Sequence, residues 1–305
     1  MSLIATDLNN ISFEPWNREE FRQKKLRVEV LRLDKIHPDI SGNKWFKLKH
    51  FVEYAKRNNK RRLLSFGGPY SNHILALAAT SKMNGIESIG YIRGEEPLTL
   101  THTLIKAKEY GMELRFLSRS EYDFKKNAIQ LETTDLEMRD TVIIPEGGAS
   151  VKGIMGAEEI LSTISISHYS HICCAVGTGV TLAGLVNGAE SHQIKIGVTV
   201  LKGTSGLEPL NINWIKNQAG ISKVHLVHSD HFGGYAKKTP VLINFMNQVY
   251  GESGIPTDFV YTAKLFYSIS RLAKENTFPS GSHILIVHTG GLQGNHSLSS
   301  GLLQF

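Results

Sequence analysis

Apolar residues in this chain switch repeatedly between the two-residue period of a strand and the roughly 3.6-residue period of a helix. Val28 to Leu33 reads as a strand. Trp45, Leu48, Val52 and Ala55, with Phe51 beside them, mark a helix over Lys44 to Lys56. The same alternation predicts strands at Leu63–Phe66, Ser88–Ile92, Glu113–Leu117, Thr141–Pro145, His171–Val176, Ile194–Leu201, Val224–His228 and His283–His288. Between them it predicts helices at Ser71–Met83, Thr101–Tyr110, Tyr122–Leu136, Ile154–Ile164, Thr181–Ala189, Leu210–Gln218, Pro240–Tyr250 and Tyr261–Glu275. Strands alternating with helices imply parallel sheets covered by helices on both faces. The run Ile284-Leu285-Ile286-Val287 has the continuous apolar character that double burial demands. The expected class is α/β, and 305 residues suggest about two domains. No linker or repeat separates them, so they interdigitate along the chain.

Composition narrows the function. Apolar residues at 41% and charged residues at 20% exclude a disordered or coiled-coil chain. The formal charge of +6 permits anionic ligands, but the basic residues are spread out, so no nucleic-acid partner is expected. The densest run, Lys56 to Arg62, reads as a solvated helix end and turn. The two cysteines, Cys173 and Cys174, are adjacent on a strand and point to opposite faces, so no disulfide is expected and a reducing compartment fits. Met1 to Trp16 lacks the apolar centre of a signal peptide. No window approaches the roughly eighteen apolar residues of a membrane span. A cytoplasmic protein without membrane partners is expected.

In such sheets, ligands bind at the carboxyl ends of strands, in the turns leading into helices. The turn Gly177-Thr178-Gly179-Val180-Thr181 joins a buried strand to a helix. Its glycines let backbone N–H groups converge, and the helix end and two threonines favour an anion. It reads either as a phosphate cradle or as a tight connection. The next strand ends Val200-Leu201-Lys202-Gly203 without the acid of a dinucleotide site, and there is no Walker lysine, so a phosphate monoester is favoured. In Gly67-Gly68-Pro69-Tyr70-Ser71-Asn72-His73, Ser71 and Asn72 either cap a helix or bind a carboxylate. Lys44, in Ser41-Gly42-Asn43-Lys44, opposes the dipole of the helix it begins. It is either a surface lysine or an amine with a depressed pKa or an anionic partner. Pro145-Glu146-Gly147-Gly148 and His288-Thr289-Gly290-Gly291 are further strand-end turns. The thirteen histidines contain no metal motif; His225 and His228 face opposite sides of a strand and His231 follows them, so no metal is expected.

Together, Gly-Asn-Lys44-x-x-Lys-Leu, Ser71-Asn72-His73 and the Gly/Thr loop resemble the fold type II pyridoxal-phosphate enzymes. Within them the chain is most similar to the 1-aminocyclopropane-1-carboxylate deaminase / D-cysteine desulfhydrase family, from about Arg32 to Gly291. The resemblance implies a tryptophan synthase beta-like fold. A large domain of residues 1–46 and 145–305 would hold pyridoxal 5′-phosphate against a small α/β domain of residues 47–144, in a homodimer. It makes Lys44 the residue that bonds the cofactor and removes the substrate's Cα proton. Asn72 would meet the cofactor's phenolic oxygen, and Thr178, Gly179, Val180 and Thr181 its phosphate. Thr262 would lie at its pyridine nitrogen. Ser71, Asn72 and His73 would face a small amino-acid substrate. Tyr235 and Tyr261 would be the active-site tyrosines that position the substrate or protonate its leaving group.

The cyclopropane deaminases carry Glu where Thr262 stands, and the desulfhydrases carry Thr. A carboxylate holds the pyridine nitrogen protonated and strengthens the electron sink, which a hydroxyl alone does not. Ring opening needs the stronger sink, so β-elimination of D-cysteine to pyruvate, ammonia and sulfide is expected. The alternatives are cyclopropane deamination to 2-oxobutyrate and ammonia, racemisation or β-replacement, and a non-catalytic binding protein of the same fold. One departure is the helix after His73, which continues Ile74-Leu75-Ala76 where both activities usually show Arg-Gln.

Overall fold

The computed structural model describes residues 8–128, 139–206, 208, 210 and 212–305. Among the described residues, ten strands form two sheets. The larger has the order β1-β2-β10-β7-β8-β9 and comprises β1 (Phe13–Pro15), β2 (Arg27–Arg32), β7 (His171–Val176), β8 (Ile194–Thr199), β9 (Val224–Val227) and β10 (His283–His288). The smaller has the order β5-β4-β3-β6 and comprises β3 (Arg62–Gly67), β4 (Glu87–Arg93), β5 (Glu113–Leu117) and β6 (Thr141–Ile144). Pairing is parallel throughout except for β1 on β2, where Phe13 opposes Leu31. The strands of the small sheet come from one continuous stretch, and those of the large sheet flank it on both sides.

Helices link the strands: α1 (Glu19–Gln23), α2 (Asn43–Arg57), α3 (Asn72–Met83), α4 (His102–Glu109), α5 (Arg119–Ala128), α6 (Val151–Ser162), α7 (Val180–Gly188), α8 (Gln218–Ile221), α9 (Pro240–Ser253) and α10 (Thr262–Lys274). Most expected elements are present with ends shifted by one or two residues. The helix expected at Tyr122–Leu136 begins earlier, and its expected second half lies outside the described residues. The helix expected at Leu210–Gln218 does not form as one piece. A single 3-10 turn, Ile212–Trp214, is followed by the short α8. The cause is a competing acceptor: the Asn187 carboxamide oxygen takes the N–H groups of Lys216 and Asn217 at 2.9 and 3.3 Å. The Asn217 side chain then caps a new helix through Gly220 N at 2.9 Å. The antiparallel β1 and short α1 carry too few periodic residues to be read from sequence.

Strand alternation divides the core. Cys174, with Leu31, Leu285 and Val287, faces a core that continues through α2, α3, α6 and α7 to the small sheet. Cys173, with Val28, Val30, Ile284 and Ile286, faces a second core with Trp16 and Phe266. Both cysteines are free and buried. Each fully buried large side chain contributes roughly 1.5–3 kcal/mol. The helices around the first core pack backbone to backbone. A Cβ on Gly156 would lie 2.0 Å from the Phe46 carbonyl oxygen, and one on Gly184 would lie 2.5 Å from the Ala157 Cβ. This packing fixes the start of α2 against the start of α7, at the carboxyl ends of the strands.

Candidate active site

The turn before α2 is tied to the turn after β10. Gly42, at φ 66°, sits so close to Thr289 that a Cβ would fall 2.0 Å from the Thr289 carbonyl oxygen. Glycine is therefore required there on both counts. Helix α2 starts without a side-chain cap and carries Lys44 in its first turn. The Lys44 Nζ donates to Asn43 Oδ1 at 2.8 Å, and Asn43 Nδ2 donates to Thr181 Oγ1 at 2.6 Å. Burial lowers the Lys44 amine to about 8, although the Asp258 carboxylate pulls the other way. A useful fraction of this amine is neutral near physiological pH, which a nucleophile and base requires.

One turn further along α2, Lys47 is 4% exposed. Its Nζ reaches the Gly147 carbonyl at 3.4 Å. Burial first, and the Lys44 charge second, push its pKa well down. Among the described residues no carboxylate pairs with it. Gly147 also abuts the phosphate-loop candidate, since a Cβ on it would lie 3.1 Å from the Thr178 methyl carbon. Gly179, at φ 75°, precedes α7 and offers no side-chain cap, so the first N–H groups of α7 lack a side-chain acceptor. Thr178 is exposed and Thr181 buried. Uncapped N–H groups, hydroxyls and a buried amine that no carboxylate pairs among the described residues are the donor set that a phosphate takes.

Helix α3 follows β3. Ser71 caps it, with its Oγ accepting from Ile74 N at 3.3 Å. Asn72 Nδ2 reaches the Gly291 carbonyl at 3.4 Å, while Asn72 Oδ1 is buried without a partner. A buried polar atom left unpaired costs about 1–3 kcal/mol, and a ligand donor would remove that cost. His73 is buried, with Nε2 2.9 Å from Ser65 Oγ; Ser65 itself donates to the Ile144 carbonyl at 2.7 Å. Burial, helped by Lys44 and Lys47, pushes His73 down to about 3, so it is a neutral imidazole here.

The fourth group lies at the start of α10. Tyr261 and Tyr235 meet edge to face with ring centroids 6.0 Å apart. Burial raises both phenols, Tyr261 strongly, so both keep their protons. Thr262 is fully buried and bonded to Asp258, a carboxylate that is also fully buried. Two residues on from Thr262, Lys264 crosses to the loop that bears Tyr235 and donates to the Gly234 carbonyl at 2.7 Å. Burial brings Lys264 down to about 8.

From sequence alone, Asn43, Lys47, Asp258 and Lys264 carry no assigned role. Lys47 and Lys264 had a legible signal, because each lies three residues after an assigned residue and so on the same helix face. Asp258 had one too, as an acid placed to cap the helix from Tyr261. His225, His228 and His231 do not come together as ligands; His228 Nδ1 lies 3.1 Å from Thr204 Oγ1, and His231 Nδ1 accepts from Gly233 N at 3.0 Å. A different trio, Glu29, His168 and His283, has donor atoms within 4.8 Å of one another. It sits by the amino ends of β7 and β10, at the opposite end of the sheet from Lys44.

The turns that follow β3, β6, β7 and β10 thus converge with α2 and α10 on an amine, an anion cradle and two phenols. Residues 17–290 match the family described as pyridoxal-phosphate dependent enzyme. The chain belongs to this family. It is 30% identical over 289 residues, 90% of this chain and 88% of the relative, to a Pyrococcus horikoshii protein named "Putative 1-aminocyclopropane-1-carboxylate deaminase". It is 26% identical to the D-cysteine desulfhydrase of Salmonella choleraesuis, with 87% of each chain covered. A crystal structure of an ACC deaminase homologue superposes with a TM-score of 0.79 at 27% identity, covering 94% of this chain and 90% of that one. The α/β architecture is that of a two-domain fold type II pyridoxal-phosphate enzyme. The uncapped α7 start, the unpaired Lys47 and the orphaned Asn72 Oδ1 fit the cofactor's charge and hydrogen-bonding needs. Among the described residues no helix is long and apolar enough to cross a membrane.

Proposed function

We propose that this chain is a pyridoxal-phosphate dependent lyase that eliminates the β-substituent of D-cysteine, giving pyruvate, ammonia and sulfide. The observation that carries the reading is the Lys44 amine, lowered to about 8 and tied through Asn43 to the start of α7. The bound cofactor supplies the electron sink at the substrate's Cα. Lys47, the α7 N–H groups, Thr178 and Thr181 would hold its phosphate. Ser71 and the start of α3 receive the substrate carboxylate, whose charge the helix end favours. Lys44 Nζ takes the Cα proton. The Cβ–S bond breaks and sulfur leaves as hydrosulfide, with Tyr261 or Tyr235 donating to it from a phenol that stays protonated. The proton held on Lys44 is returned to Cβ to make the methyl group, water supplies the keto oxygen of pyruvate, and the nitrogen leaves as ammonia.

Thr262 in place of a carboxylate supports D-cysteine over the ring-opening substrate, and the Salmonella relative's name agrees with that choice. The second reading is 1-aminocyclopropane-1-carboxylate deamination, which the Pyrococcus relative's name favours. The cofactor-loaded protein should form pyruvate from D-cysteine, and Lys44→Ala should abolish it. 2-Oxobutyrate from the cyclopropane substrate with no pyruvate from D-cysteine would reverse the order of the readings. The same reading takes residues 1–46 with 145–305 as the large domain and 47–144 as the small one, which the division of strands between the two sheets supports. A homodimer and a cytoplasmic location belong to the same reading, and sedimentation of the purified protein tests the former.

A further inference from the structure

At the amino ends of the large sheet's strands, three segments bring two imidazoles and a carboxylate together. Glu29 lies in β2, where it pairs with Leu285 of β10 on one side and Pro15 of β1 on the other. His283 opens β10, and His168 lies in the turn before β7. His283 Nε2 is 3.0 Å from Glu29 Oε2. Ser170 holds the arrangement from the backbone side. Its Oγ accepts from His283 N and donates to the His283 carbonyl, at 3.0 Å each, which ties the turn bearing His168 to the start of β10. Tyr169 is buried, and its hydroxyl donates to Glu29 Oε2 at 2.6 Å. His168 is exposed, and its ring lies against those of Tyr169 and His283, with centroids 4.1 and 4.9 Å away.

A surface ion pair accounts for Glu29 and His283 but gives His168 no part. Two imidazoles this close repel each other as cations, whereas a metal ion takes both in the neutral form. With ligands about 2.0–2.1 Å from a zinc ion, neighbouring corners of the tetrahedron lie about 3.3 Å apart. The Glu29–His283 separation is already near that edge, and rotation of the exposed His168 side chain closes the wider gaps. We propose that Glu29, His168 and His283 bind one divalent transition-metal ion, with the fourth position left to water. Two imidazoles and a carboxylate suit zinc and do not supply the oxygen-rich shell that calcium or magnesium takes. Tyr169 orients the carboxylate from behind, as an outer partner of a metal ligand does. The ion would clasp β2, β10 and the turn before β7, so its role is structural. Arg27, exposed at the start of β2, adds positive charge near His283, which holds the expected Kd to roughly the micromolar range. The site lies away from Lys44 and does not depend on the cofactor reading. Its ligands are far apart in the chain, with Glu29 and His283 separated by 254 residues, so no sequence motif announces it.

The test is zinc binding by the cofactor-loaded protein, measured by equilibrium dialysis against zinc chloride. One ion per chain should bind, and excess calcium or magnesium should not displace it. His168→Ala changes an exposed side chain, so it should leave the metal-free Tm unchanged while weakening binding at least about tenfold. Glu29→Gln and His283→Gln should weaken binding as much or more, and Tyr169→Phe about tenfold. Zinc at about a hundred times its Kd should raise the wild-type Tm by a few degrees and that of His168→Ala by less. X-ray absorption at the zinc edge should show nitrogen and oxygen neighbours that include two imidazoles. An absence of saturable binding below about 1 mM would overturn the site. Undiminished binding in either histidine variant would do the same, as would sulfur neighbours at the zinc, which would place the ion at Cys173 or Cys174 instead.

Discussion

The side-chain amide of Asn43 donates to the Thr181 hydroxyl at 2.6 Å, joining positions 138 residues apart. The same Asn43 accepts from Lys44, so one carboxamide couples the reactive amine to the anion cradle. Asn43→Ala leaves buried Thr181 and the Lys44 amine each without this partner. The expected loss is about 1–3 kcal/mol of stability in urea denaturation. Turnover per bound cofactor should fall about tenfold or more, because the base is no longer aimed. An unchanged turnover would mean that Lys44 is held by other contacts.

The Lys44 amine gives a pH signature in the cofactor-free protein. It titrates near 8 in the folded chain against an ordinary 10.5, with burial as the cause. Between those values the unfolded chain binds more protons, so stability rises with pH. Below about 8 the amine is charged in both states and the burial penalty is fully present. Lys44→Met removes that penalty. The variant should exceed wild type at pH 7 by on the order of 1–2 kcal/mol, after discount for partial exposure. The gap should narrow as the pH climbs from 8 toward 10.5. Urea denaturation across this range checks it, and a gap independent of pH would contradict the assigned amine environment.

Lys47 is expected to recognise the phosphate rather than the ring. Lys47→Met keeps the length and apolar stem but loses the charge. Binding of pyridoxal 5′-phosphate should weaken by about tenfold to a hundredfold, consistent with a charge-assisted contact. Binding of unphosphorylated pyridoxal should change little. Equal weakening of both ligands, measured by absorbance titration, would place Lys47 elsewhere in the chemistry.

What the sequence made legible follows from the physics of each element. The glycine turns after β3, β6, β7 and β10 are visible because a buried parallel strand leaves a continuous apolar run and a sharp end. Lys44 stands out because a cation at a helix start is unfavourable on its own. Asp258 and Lys264 were legible only as a capping acid and as a residue on the Tyr261 helix face; their full burial, on which their importance rests, shows only in three dimensions. The break at Leu210–Gln218 was hidden for a related reason: the acceptor that prevents the helix, Asn187, is supplied by another helix. Thr262 was legible as a position, but its hydrogen-bond direction depends on Asp258 and appears only in three dimensions.

Lys264 tests whether the Tyr235 loop is held in place or rests there on its own. Phe232, Gly233, Gly234 and Ala236 all have positive φ, at 50°, 91°, 115° and 52°. For the two residues with side chains this costs on the order of 1–2 kcal/mol each. The Lys264 ammonium, donating to the Gly234 carbonyl at 2.7 Å, opposes relaxation of this loop. Lys264→Met fills the same volume but cannot donate. The loop should then relax and carry Tyr235 away from Tyr261, lowering kcat about tenfold, which corresponds to about 1.4 kcal/mol of barrier. The cofactor's visible band should be unchanged, because none of the residues assigned to the phosphate is touched. A wild-type kcat in Lys264→Met would show that Tyr235 needs no such clamp. Loss of the band together with activity would show that Lys264 supports the cofactor instead.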